Sequence, residues 1–271
     1  PPSLLHTPPP PPMAAATTRS DYDWTPEQLC AAIREYEPAL LDLVWQHLFV
    51  RSAGDCEGKQ RYIRAVPEPG TAAVKDKAFQ HNMALRWAIV DRGVSHIDNW
   101  AFAGCVGLTQ VTLPAGLTHV GAWAFASCAE LTTVILPAGL IHLGNVAFFG
   151  CVGLTQVALP AGLIRIGDAV FHGCAGLTSL ALPAGLTHLG DMAFCDCVGL
   201  TTMVLPSGLT HIGLRAFQGC AGLTRVMLPA GLTHIGYGAF GNCAGLTEAR
   251  VPEGLAVLDK TFPDHTRIVR Y

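Results

Sequence analysis

Seven cysteines, Cys105, Cys128, Cys151, Cys174, Cys197, Cys220 and Cys243, recur at a fixed spacing of 23 residues. Six histidines, His96, His119, His142, His188, His211 and His234, share that period, with Arg165 in the fourth place. Thiols and imidazoles ligate zinc, pair as disulfides, act as nucleophiles or titrate near neutrality. The even spacing decides among these chemistries. If each period is one turn of a stack, equivalent residues form columns, and a straight column cannot converge four ligands tetrahedrally on one ion. Neighbouring Cα atoms roughly 5 Å apart do fall within disulfide range. Seven is odd, however, and Asn82 takes the same slot in an earlier, worn copy. Asn and Cys are both small polar side chains suited to bonding buried turn backbone, so the column is expected to be a buried thiol ladder. No metal and no cofactor is expected.

The histidine column reads as semi-exposed, and Arg165 within it is a poor metal ligand. Charging close-packed rings below about pH 6 should cost stability through like-charge repulsion. A third column, Thr109, Thr132, Thr155, Thr178, Thr201, Thr224 and Thr247, fits β-branched stacking on a parallel sheet. Regular threonine arrays also bind ice, which makes a structural or ice-binding solenoid the alternative reading. No G-x-S-x-G, Walker loop or H-E-x-x-H occurs. Carboxylates are sparse through the repeats and residues 94–254 contain no lysine. An enzyme is not expected.

The elements that must position these columns are written in the repeat. Its pattern is L-T-H-[IVL]-G-x-x-A-F-x-G-C-x-G-L-T-x-V-x-L-P-A-G, with copies starting at Val94, Leu117, Leu140, Leu163, Leu186, Leu209 and Leu232. A degenerate eighth copy at 71–93 keeps Ala78, Phe79 and Leu85, and a shortened one at 255–271 keeps Phe262. A fixed period of this length means a solenoid with atypical capping copies. The frame I-G-x-x-A-F-x-x-C-x-x-L-x-x-[IV]-x-[IL]-P resembles the BspA-type leucine-rich repeat family over about three-quarters of the chain. That resemblance implies an α/β repeat solenoid, a coil stack whose parallel β-sheet lines a concave face, and a role in recognition or adhesion.

Within "LTQVTL", Leu108, Val111 and Leu113 point inward, and alternation sends Gln110 and Thr112 to solvent. Successive strands roughly 4.8 Å apart would make a sheet about 40 Å long over eight coils. The following Pro-Ala-Gly reads as a turn in which Gly takes the positive dihedral. "WAFAGC" is too short for an independent helix and is expected to form one helical turn on the convex side, its Phe stacking as an interior spine. Trp100 and Trp123, at equivalent offsets, should stack. Cys195, in "FCDC", stands at a variable offset and is expected to be the most accessible thiol.

Outside the repeats, residues 1–20 are a Pro/Ala-rich leader whose composition predicts disorder. Residues 21–70 are expected to form a small helical N-terminal cap. There Thr25, Pro26 and Gln28 open a first helix, Pro38 separates a second, and Leu40, Leu41, Val44, Trp45, Leu48 and Phe49 form one apolar stripe. A net charge of −3 argues against a nucleic-acid partner. No apolar run approaches the roughly 18 residues of a membrane span. No basic start with a long apolar segment is visible, so the expected compartment is the cytoplasm. A surface adhesin becomes the alternative if an export signal precedes Pro1.

Variation between copies locates the expected site. Two outward strand positions drift while scaffold positions hold. The first runs Gln110, Thr133, Gln156, Ser179, Thr202, Arg225 and Glu248; the second runs Thr112, Ile135, Ala158, Ala181, Val204, Met227 and Arg250. They draw a face with an apolar centre, a polar surround and charge at the C-terminal end, as protein-binding surfaces are built. The expectation is a monomeric, non-catalytic module that binds a protein partner there.

Overall fold

The computed structural model describes residues 72–271 and the backbone of 62–65. The chain divides into two compact units, Pro1–Leu48 and Phe49–Tyr271, and the described residues belong to the second. The leader and the helices expected over 25–49 lie outside the described residues.

Each coil contributes a strand where its apolar residues alternate. The first ladder comprises Trp87–Val90, Gln110–Thr112, Thr133–Ile135, Gln156–Ala158, Ser179–Ala181, Thr202–Val204, Arg225–Met227 and Glu248–Val251. Tyr62–Ala65 precedes them and Arg267–Arg270 follows. Every pairing is parallel, with residues 23 apart in register through the repeats, as in Thr133↔Gln156 and Ser179↔Thr202. Parallel pairing follows from coils that all turn the same way. Among the described residues this ladder is interrupted between Ala158 and Ser179 and between Val204 and Arg225.

A second ladder was not foreseen. Two-residue strands at Ala73–Val74, His96–Ile97, His119–Val120, His142–Leu143, Arg165–Ile166, His188–Leu189, His211–Ile212 and His234–Ile235 also pair in parallel, with a break between His142–Leu143 and Arg165–Ile166. Each has an outward His or Arg (Ala73 in the worn copy) and a buried Ile, Val or Leu.

Three expectations are corrected. The segment expected to form a helical turn on the convex side is a run of tight turns. Trp100 has φ +60 and Gly104 φ +71, and the same two offsets are left-handed in the other coils, as at Met192 and Asp196. A right-handed helix does not continue through such residues. The N–H groups of Trp100, Phe102 and Gly104 donate instead to Ala122, Ala124 and Ala126 O of the next coil at 3.0, 2.8 and 2.7 Å. The turn is thus a third inter-coil hydrogen-bonded seam, which satisfies backbone groups a helix would pair internally. Among the described residues the left-handed glycines lie in this segment, at Gly104, Gly150, Gly173, Gly219 and Gly238, and not in Pro-Ala-Gly.

The cap assignment also changes at its end. Tyr62–Ala65, placed in the helical cap by sequence, is a strand in register with Trp87–Val90. It covers the edge of that strand, whose backbone groups would otherwise be unpaired. At the other end Thr266 Oγ1 donates to Leu246 O at 2.8 Å, and Arg270 Nη1 donates to Pro252 O and Leu255 O at 2.9 and 2.8 Å. Tyr271 Oη bonds Leu228 O. The last segment therefore closes the stack on backbone carbonyls of the preceding coils.

The core is a single apolar column system. Phe79, Phe102, Phe125, Phe148, Phe171, Phe194, Phe217, Phe240 and Phe262 stack with centroids from 5.0 to 5.7 Å apart. Most of the repeat's leucines surround them, buried, with Leu113, Leu159 and Leu182 partly buried against them. Coil spacing demands small residues elsewhere. A Cβ on Gly144 would meet Ala122 N and Gly121 C at 2.5 Å, backbone that cannot move aside.

Candidate functional site

On the first ladder the two outward columns alternate with the inward residues Val111, Val134, Leu180, Met203 and Val226, all buried. Gln110, Thr112, Gln156, Ala158, Ser179, Ala181, Thr202, Arg225 and Arg250 are exposed, as are Ile135 (68%), Val204 (80%) and Met227 (56%). Thr133 and Glu248 are half-buried. Register places Ile135 beside Ala158, Ala181 beside Val204, and Met227 beside Arg250. Glu248 and Arg250 pair at 3.5 Å. Sequence comparison missed the extension of this face: Trp87 and Ile89 pair with Gln110 and Thr112 and so continue both columns.

The threonine column borders that face. Thr109, Thr155 and Thr247 Oγ1 donate to Arg86, Thr132 and Thr224 O, one coil back, at 2.8, 3.1 and 3.1 Å. With their protons committed to backbone, these hydroxyls act as staples between coils.

On the second ladder, His96–His119 and His188–His211 stack at 4.4 Å, while His119–His142 and His211–His234 tilt at 5.9 and 5.8 Å. For four of the six rings, a hydroxyl on the preceding residue sets the tautomer. Thr118 Oγ1 donates to Ser95 O at 3.0 Å and lies 2.8 Å from His119 Nδ1. A hydroxyl has one proton, so Nδ1 must be the donor and Nε2 is left as acceptor. Ser95 with His96, Thr187 with His188 and Thr210 with His211 repeat the arrangement. Burial, then the neighbouring rings His96 and His142, lower the pKa of His119. Burial, then His211 and Arg165, lower that of His188. Ile141 (74% exposed) and Ile164 (61%) replace this hydroxyl in two adjacent coils, beside the break in the ladder.

The eight described cysteines are all buried. Each column thiol donates to the carbonyl of the Phe one coil back, from Cys105 to Phe79 O at 3.0 Å through Cys243 to Phe217 O at 3.1 Å. Asn82, in the worn copy, is buried without a side-chain partner. Burial pushes the thiols of Cys151, Cys197 and Cys243 up to about 12. Cys195 is 5% exposed where the column cysteines are fully buried. Burial first, then the Asp196 carboxylate, push its thiol up to about 11, with Arg215 pulling weakly the other way.

On the turn face Trp100 and Trp123 stack at 4.6 Å with planes 3° apart. Phe149 tilts against Trp123 at 5.8 Å and against His172 at 4.9 Å. His172 ends this aromatic run beside Cys195 and Asp196.

Coils of one length, two parallel ladders, a phenylalanine spine and a thiol column together define a leucine-rich solenoid. The chain belongs to the BspA-type leucine-rich repeat family, whose model matches residues 72–163 and 141–268 in six copies. No curated protein matches it in sequence. Among solved structures it is similar to the T. pallidum leucine-rich repeat protein, at 26% identity over 75% of this chain and 84% of that one, with a TM-score of 0.45. It is similar also to a leucine-rich cell surface protein of Faecalibacterium prausnitzii, at 19% identity, 82% of each chain and TM-score 0.42. A Bacteroides ovatus leucine-rich repeat protein matches at 17% identity over 77% of this chain and 92% of that one, with TM-score 0.37. Among the described residues no helix is long and apolar enough to cross a membrane.

Proposed function

We propose that the chain is a non-catalytic protein-interaction module that binds a protein partner through the outward face of the first ladder. The observation that carries this reading is the exposure of Ile135, Val204 and Met227 on one strand column, flanked by Gln, Thr and Ser. Large apolar side chains open to water on a sheet favour burial by a partner, and the flanking hydroxyls and amides supply the polar rim that gives such a contact its specificity. Arg225, Glu248 and Arg250 place charge at one end, which would fix the partner's orientation.

The test uses the full chain as bait in lysate of its source cell, beside a bait carrying Ile135→Glu and Val204→Glu. Circular dichroism checks that both are folded. Proteins held by the first bait and lost from the second support the reading. Equal capture by both baits, or none, removes this face from consideration and moves Ile141–Ile164 and Trp100–Trp123 ahead of it.

A further inference from the structure

Two adjacent coils depart from the repeat at one place on the turn face. The residue after the spine phenylalanine is Ala103, Ala126 and Phe149 in earlier coils, then His172 and Cys195, then Gln218 and Gly241. The next offset is Gly in four coils and Asp196 in the Cys195 coil. Duplication of a repeat does not produce three ligand-type residues at one spot. The fold nonetheless brings them together: His172 Nε2 lies 3.5 Å from Asp196 Oδ2, Cys195 Sγ lies 3.6 Å from the same oxygen, and the three ligand atoms all lie within 4.8 Å of one another.

We propose that His172, Cys195 and Asp196 form a three-ligand site for zinc(II) or a similar borderline divalent ion. Tetrahedral zinc with N, S and O ligands places its ligand atoms about 3.3–3.6 Å apart. Two of the three edges already have that length, and the third closes by a small side-chain rotation. Ligand type agrees with geometry, since imidazole, thiolate and carboxylate are the zinc set. Charge agrees as well. A thiolate and a carboxylate neutralise one divalent cation, and the metal turns the repulsion between those two groups into attraction. On binding, the thiol proton leaves to solvent as the S–metal bond forms. The ion takes the place of that proton and of any imidazole N–H on the shared carboxylate oxygen.

The surroundings hold the ligands in position. Asp196 sits at φ 58, which aims its carboxylate over Gly219, where a Cβ would fall on Oδ1. Phe149 packs against the His172 ring at 4.9 Å. The Asp196 side chain is 58% exposed, leaving a solvent-facing fourth position for water. Three protein ligands and an open position distinguish this site from a closed structural zinc site. The histidine column lies on the second ladder and contributes no thiolate.

Cobalt(II) is the probe, because only a thiolate ligand gives a near-ultraviolet sulfur-to-cobalt charge-transfer band. The repeat supplies the control variants: Cys195→Ala, His172→Phe and Asp196→Gly each install a residue that other coils carry at that offset. The full chain should develop the band with one cobalt per chain and lose it on adding zinc(II). Cys195→Ala should abolish it, and His172→Phe and Asp196→Gly should each weaken binding about tenfold or more. Absence of the band in the unaltered protein overturns the proposal. So does its survival in Cys195→Ala, or unchanged affinity in both of the other variants.

Discussion

The inside and the outside of each coil obey different rules. Inward, Phe, Cys and Leu recur with little change; each spine ring stacks on its copy one coil away and each column thiol bonds the Phe carbonyl one coil back, as Phe148 on Phe171 and Cys174 on Phe148 O. Outward on the first ladder the same offset passes through Thr112, Ile135, Ala158, Ala181, Val204, Met227 and Arg250. The difference has a physical origin. An interior position is packed by the coils before and after it, so its volume is dictated by neighbours that are themselves fixed. An outward position touches water on one side and tolerates any side chain that does not disturb the ladder. Exposed Ile and Val at a tolerant position therefore call for an explanation, whereas buried Phe does not.

Breaking the interior should have the largest effect. Phe171→Ala leaves a cavity between Phe148 and Phe194, whose centroids lie 5.7 and 5.4 Å from that of Phe171. It should cost about 3–5 kcal/mol, read as a lower urea midpoint. A loss under about 1 kcal/mol would mean the coils collapse onto the gap and the spine is not the source of rigidity.

An intermediate effect is expected at the histidine column, which is outward yet uniform. The folded pKa values of His119 and His188 lie below the ordinary 6.5. Below that value the unfolded chain holds protons that the folded chain lacks. Stability is therefore complete above it and falls as the pH drops through the lower folded values. The Nδ1–hydroxyl bonds survive protonation, so the loss comes from burial and ring–ring repulsion. The melting temperature should fall between about pH 7.5 and 5.5; a constant value would uncouple the rings.

The smallest effect belongs to the drifting face. Ile135→Glu and Val204→Glu should each change stability by no more than about 0.5 kcal/mol in the same urea titration. A larger loss at either position would mean that it supports the fold, and binding would no longer be needed to explain its apolar character.

What the sequence revealed follows the same division. A 23-residue period with Phe and Cys at constant offsets is enough to read a stack, its spine and a buried thiol column, because columns are the only way equivalent residues can meet. The alternation of Val111 with Gln110 and Thr112 likewise reads as a strand. The second ladder was hidden because His119–Val120 is two residues long, too short for alternation to register. The turn misled because Trp100, Trp123 and Met192 adopt positive φ with ordinary side chains, a conformation that residue type signals only for Gly or Asn. Tyr62–Ala65 escaped notice because it sits 25 residues before its partner strand, outside the period. Cys195 was visible as a departure from the repeat. Its convergence with His172 had a signal that went unread, two ligand residues at one offset in adjacent coils.

The thiol column has a consequence for how the stack opens. Seven chemically identical groups lie at even intervals along the molecule, each buried and bonded to the coil before it. A thiol-labelling reagent reaches one only when two particular neighbours part. The chain thus carries a built-in ruler of its own breathing, with one graduation per coil.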